Sequence, residues 1–236
     1  MNELSENIRL MDELLEDVVA RTPAGRATLD LLRDLLELCR DAERKDDDGP
    51  RNRAGKRLAA LPVEALRELL KVLTIRFHLA NKAEQVEIVR INRERERAAR
   101  RDRPRPESIA EAVHELKQFG ADLGSVRTVL ERLDIQPTLT AHPTEARRLS
   151  LLRQQARIAS VLTRWNRQSP TPVEAQRDRE TIRREIALML ATDEVRAERP
   201  QVLQEVRQGL YFLRGSIWRG IPQLYRDLRD ALRTYY

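Results

Sequence analysis

A chain of 236 residues that is 35% charged, only 4% aromatic and formally +6 is long enough to bury a core and carries the composition of a mostly helical protein with ion-paired surfaces. No window approaches about 18 consecutive apolar residues, which excludes a membrane-spanning helix, and the acidic start Met1–Glu6 lacks the pattern of a secretory signal, so a cytoplasmic protein is expected. The single cysteine, Cys39, excludes an internal disulfide and a multi-cysteine metal site.

Leu4, Ile8, Met11, Leu15 and Val18 recur at helical spacing and predict an amphipathic helix near residues 3–20. Thr22-Pro23 reads as an N-cap followed by proline at the first helical position, opening a helix that carries Leu31, Leu32, Leu35, Leu36 and Leu38. From Arg44 to Gly55 the chain turns polar, with three consecutive aspartates and a Gly-Pro pair, and reads as a surface loop. Leu61-Pro62 starts a long helix with Leu66, Leu69, Leu70, Leu73 and Phe77 on one face. Beyond it lies the densest basic cluster, Arg93–Arg105, which fits either a nucleic-acid contact or the end of a charged helix entering a proline-broken loop. The dispersal of the other arginines among 38 acids favours solvated helix faces over nucleic-acid binding.

Ser108 and Glu111 form a capping box for a helix to about Gln118, stopped by Gly120, and a short helix follows from about Gly124 to Leu133. Ile135–Ala141 is the one predicted strand. Helices resume near residues 144–167, 172–196, 201–218 and 222–234. A lone strand leaves its backbone donors and acceptors unpaired, so further strands are expected to come from later sequence, as in the front part of a longer polypeptide.

The strand ends on Thr138-Leu139-Thr140-Ala141-His142-Pro143-Thr144-Glu145, and Arg147-Arg148 follow at the expected opening of the next helix near Thr144. A histidine at a strand tip is held rigidly yet stays exposed, as catalytic groups are in barrel enzymes. His78, beside Phe77 on an apolar helix face, reads as a core histidine; His114, in a charged helix, reads as exposed. Trp165 and Trp218 read as packing anchors. Three scattered histidines and one cysteine offer no metal-ligand spacing, so no metal site is expected within this chain.

Three blocks carry a resemblance to a known family. They are Leu79-Ala80-Asn81-Lys82-Ala83-Glu84-Gln85, the stretch from Thr138 through Ser150-Leu151-Leu152 to Ala156-Arg157-Ile158, and Thr192-Asp193-Glu194-Val195-Arg196 with Arg199-Pro200, continued by Ser216–Pro222. In this order they resemble phosphoenolpyruvate carboxylase. The family's arginine pair falls six and seven residues after the histidine. Here Arg148 holds the first position and Leu149 the second, unless Arg147 takes over that role through a slight helix rotation.

The resemblance implies a predominantly α-helical segment carrying the first strand of a larger α/β (TIM-like) barrel. Residues 1–134 would form an N-terminal helical region and residues 135–236 the start of the catalytic barrel. It implies formation of oxaloacetate and phosphate from phosphoenolpyruvate and bicarbonate, with His142 catalytic and Arg147 and Arg148 binding phosphate. Mg²⁺ or Mn²⁺ would be held by carboxylates outside this segment, and the assembly would be a homotetramer. Because the family's substrate loops and metal ligands also fall outside it, the isolated chain is expected to be inactive. The alternative is a truncated, non-catalytic helical interaction module.

Overall fold

A computed structural model of the chain describes residues 3–45, 47–136, 148–193 and 201–236. The helices are α1 (Glu3–Val19), α2 (Gly25–Lys45), α3 (Asp48–Ala59), α4 (Val63–Ala98), α5 (Ile109–Gln118), α6 (Leu123–Glu131), α7 (Leu149–Trp165), α8 (Pro172–Leu190), α9 (Val202–Phe212) and α10 (Trp218–Tyr235). A π-helical turn, Leu213–Ile217, joins the last two. The predominantly helical expectation holds, and no strand occurs among the described residues. Ile135 and Gln136, the first residues of the expected strand, lie in irregular backbone; Pro137–Ala141 fall outside the described residues. Among the described residues no helix is long and apolar enough to cross a membrane.

The chain divides into two compact units. The first comprises residues 1–88 and 148–194. Its core is built from the apolar stripes of α1 (Met11, Leu14, Leu15, Val19), α4 (Leu69, Val72, Ile75, Leu79), α7 (Leu151, Ile158, Leu162) and α8 (Ile182, Ile186, Met189). Leu162, Ile182 and Ile186 are 0% exposed, and a fully buried side chain of this kind contributes about 1.5–3 kcal/mol. The second unit comprises residues 89–147 and 195–236. In it α5 packs on α10, with Val113 and Ala231 buried. The Tyr235 hydroxyl donates to the Arg101 carbonyl at 2.9 Å, and Arg101 Nη2 donates to the Thr234 carbonyl at 2.7 Å.

Several expectations are corrected. The polar stretch 44–55 is largely helix α3, because the aspartate run acts as a cap rather than a turn: Asp47 Oδ1 accepts from Gly49 N at 2.9 Å. Pro50 sits in the first turn, where a missing N–H is harmless. Thr22 does not cap α2; its hydroxyl donates to the Val19 carbonyl at 2.8 Å and closes the end of α1. On α4 the core takes Leu69, Val72, Ile75, Leu79, Ala83 and Val86, while Leu70 and Phe77 are exposed, Phe77 at 65%. Two apolar stripes share this helix, and only one meets α1, α7 and α8.

The capping box at α5 is shifted by one residue. Ser108 Oγ accepts from Glu111 N as expected, but the Glu111 carboxylate accepts from Glu107 N at 2.6 Å. Gly120, at φ 84°, ends the helix in the left-handed region that favours glycine. The break expected at Gly220-Ile221-Pro222 is absent: Pro222 lies inside α10, just after the π-helical turn. Trp218 is 78% exposed rather than a packing anchor among the described residues, whereas Trp165 packs against the core of the first unit. His114 is half-buried, its ring 4.9 Å from that of Tyr235. His78 is buried, as expected.

Candidate functional site

Of the three residues expected to form the site, His142 and Arg147 lie outside the described residues; Arg148 is placed. It is the N-cap of α7, in extended geometry (φ −61°, ψ 133°), and its carbonyl accepts from Leu152 N at 3.2 Å. The helix expected near Thr144 is therefore described from Leu149 onward. An arginine cannot accept a hydrogen bond from the first N–H groups of a helix, and no side-chain cap is present at this end. Among the described residues the first backbone N–H groups have no side-chain cap, and the helix dipole adds positive potential there. The Arg148 side chain is half-buried, with Nε buried and without a hydrogen-bond partner among the described residues.

The helix presenting this end is fixed from behind by α8. Arg157 Nη1 donates to both carboxylate oxygens of the buried Glu185, at 3.1 and 3.3 Å. Asp178 accepts from the Arg164 guanidinium and, at 2.6 Å, from the Trp165 indole N–H. Burial pushes the Asp178 carboxyl up, but the hydrogen bonds from Arg164 and Trp165 outweigh it and hold the group below the usual carboxylate range. The N-terminus of α8 is locked by a reciprocal Thr171–Glu174 capping box with Pro172 behind it. The helix that carries Arg148 is thus tied to α8 along its middle and C-terminal turns.

Two residues of α7 escaped the sequence reading. Gln154 and Gln155 are buried, Gln155 at 2% exposure, and Gln154 Oε1 and Gln155 Nε2 have no hydrogen-bond partner among the described residues. The signal was legible: both fall on the stripe Leu151, Ile158, Leu162, where a polar pair is out of pattern. Metal-ligating side chains do not converge: among the described residues no group of three or more His, Cys, Asp or Glu could hold an ion.

Comparison with known proteins bears on what this end of α7 belongs to. The sequence pattern of the phosphoenolpyruvate carboxylase family matches residues 4–236. Among curated relatives, the phosphoenolpyruvate carboxylase of Rhodothermus marinus is 47% identical over 233 residues, which is 99% of this chain and 25% of the relative. That of Roseiflexus castenholzii is 36% identical over 99% of this chain and 24% of the relative. That of Thermus thermophilus is 33% identical over 99% and 26%. The chain therefore spans about a quarter of the length of the curated relatives it matches.

Proposed function

The chain belongs to the phosphoenolpyruvate carboxylase family, and from that premise we propose that it supplies the histidine and arginine part of an active site that joins bicarbonate to phosphoenolpyruvate, releasing oxaloacetate and phosphate. The family match over residues 4–236 carries this reading. The uncapped α7 start with Arg148 supports it, because the substrate and both products are anions.

In the proposed reaction bicarbonate attacks the phosphoryl group, giving carboxyphosphate and the enolate of pyruvate. Carboxyphosphate then yields carbon dioxide, which the enolate captures. The carboxyl proton of carboxyphosphate must leave for that breakdown. His142 is the group for the task, since an imidazole with a pKa near ~6.5 accepts a proton at neutral pH. Arg148, with Arg147, holds phosphate oxygens and offsets the charge that builds on them. A strand formed by the residues just before His142 would carry it at its end as the first strand of an α/β barrel, with residues 135–236 opening the catalytic region. The family's Mg²⁺ or Mn²⁺ would polarise the phosphoryl oxygens. The described side chains of this chain do not fit such an ion, and its ligands would lie elsewhere. By the same reading the working assembly is a cytoplasmic homotetramer.

The test is an assay of a family-length protein that contains this segment, with oxaloacetate read by coupled reduction. Bicarbonate-dependent oxaloacetate formation is expected, and the 236-residue chain alone should give none. A family-length protein that consumes no phosphoenolpyruvate would overturn the reading.

A further inference from the structure

Charge is divided unequally between the two units. The first holds 24 basic and 24 acidic residues and the second 20 basic against 14 acidic, so the whole net charge of +6 belongs to the second. Its densest basic stretch, Arg93–Arg105, has seven arginines and three acids and takes no part in the proposed carboxylation.

The acids around it are largely spent. Glu94 pairs with Arg90 at 2.6 Å, Glu96 with Arg105 at 2.8 Å, and Glu107 with Arg95 at 3.8 Å. Arg93, Arg97, Arg100 and Arg103 are exposed and have no ion pair among the described residues, and Asp102 is the one acid of the stretch left over there. The four arginines come from two places. Arg93 and Arg97 stand one turn apart near the end of α4, with Cβ atoms about 5–6 Å from each other. Arg100 and Arg103 exchange both backbone hydrogen bonds, at 2.9 and 3.1 Å, across Arg101-Asp102. This sets their Cα atoms about 5.5 Å apart, as in an antiparallel pair. Arg101 ties the turn to the end of α10, its Nη2 donating to the Thr234 carbonyl at 2.7 Å and its carbonyl accepting from the Tyr235 hydroxyl at 2.9 Å.

The chemistry of the stretch narrows the partner. Ala98, Ala99 and Pro104 are the only apolar residues between Arg93 and Arg105, so no side chain there inserts into a bilayer. The stretch has no aromatic residue, and Tyr235, which reaches it, is half-buried with its ring against His114, so the bases of a single strand have nothing to stack on. Exposed arginine–carboxylate pairs contribute little, which leaves an acidic peptide without a hold. A duplex carries one charge per roughly 1.7 Å of axis and sheds condensed counterions where arginines replace them, so exposed arginines alone suffice.

We propose that the end of α4 and the braced turn after it bind the phosphate backbone of a duplex nucleic acid without reading its bases. Arg93, Arg97, Arg100 and Arg103 each meet a phosphate, whose edge the guanidinium fork matches. The inference stands apart from the carboxylation reading and survives its failure.

Fluorescence anisotropy of a labelled DNA duplex titrated with the 236-residue chain tests it. Saturable binding is expected at about 50 mM salt, equal for two unrelated sequences, with log K falling against log[salt] at a slope of about −3 to −4, as four phosphate contacts give. Arg100→Ala/Arg103→Ala should lose at least about tenfold in affinity and flatten the slope by about 2. Arg93→Ala/Arg97→Ala should do the same, and serves should the turn variant lose helical circular dichroism. Arg26→Ala/Arg53→Ala removes equal charge from exposed positions of the first unit and should change neither quantity. Absence of saturable binding overturns the proposal. So does tighter binding of the single strand, binding of polyglutamate or of phosphatidylserine–phosphatidylcholine vesicles as tight as that of the duplex, or an equal loss in the first-unit variant.

Discussion

Asp178 is the place where α7 and α8 depend on one carboxylate, and its replacement separates charge from hydrogen bonding. Asparagine keeps the shape and an oxygen for the Trp165 indole but removes the charge that Arg164 faces. A hydrogen bond to a charged group is worth roughly 1.5–3 kcal/mol. The Arg164 side chain is 56% exposed, so solvent screens its share, and Asp178→Asn should cost about 1–2 kcal/mol. Asp178→Ala removes both bonds and leaves the half-buried indole N–H without its partner, for a total of about 2–4 kcal/mol. Urea unfolding followed by tryptophan fluorescence measures both, in a Trp218→Phe background so that Trp165 alone reports. An alanine cost no larger than that of asparagine, or both variants within about 0.5 kcal/mol of the parent, the range of a neutral surface substitution, would refute this role for Asp178.

A methyl group at Gly25 would stand 1.7 Å from the Val19 carbonyl oxygen, a backbone atom that cannot swing aside. Gly25→Ala should therefore destabilise the α1–α2 turn by about 1–3 kcal/mol despite alanine's better helix propensity, read as a lower urea midpoint; an unchanged midpoint would contradict the geometry. Asp178 and Asp17 are both held below the ordinary carboxylate range, Asp17 by hydrogen bonds from Arg21 and then Arg183. A depressed folded pKa contributes stability that is fully present above the unfolded value, about 3.9, and is lost as pH falls through the folded value. The urea midpoint should thus stay level from neutrality to about pH 5 and fall below about pH 4, less steeply in Asp178→Asn; a level midpoint down to pH 3 would refute this. In a family-length enzyme Arg148→Ala should weaken phosphate release and oxaloacetate formation together, by about tenfold or more. Loss of only one would remove Arg148 from phosphate binding.

Helical stripes were legible wherever one apolar face dominated, as in α1 with Met11 and Leu15. They misled on α4, where Leu70 and Phe77 compose a second stripe as regular as the buried one, and periodicity does not say which face finds neighbours. Residues with two uses mislead: aspartates before Gly49-Pro50 serve a turn or an N-cap, and Thr22 can close one helix as well as open the next. A proline removes a helical hydrogen bond and so predicts a break, yet Pro222 lies in the second turn of α10, close to the helix start and the π-helical turn before it. The candidate site rests on the motif alone: His142 and Arg147 lie outside the described residues, and only Arg148 is placed. The motif does not fix where the helix after it begins, and Arg148 stands as the N-cap of α7.

The central claim is that His142 takes the carboxyphosphate proton, and one variant tests it in a family-length enzyme. His142→Asn keeps size and some hydrogen bonding while removing the titratable nitrogen. Phosphoryl transfer depends more on arginine and metal than on imidazole, so bicarbonate-dependent release of phosphate and pyruvate should persist. Oxaloacetate formation should fall by roughly 10²–10⁴, the usual cost of losing a general acid–base group. Oxaloacetate and phosphate measured side by side in this variant give the answer: phosphate without oxaloacetate supports the assignment, and near-normal oxaloacetate contradicts it.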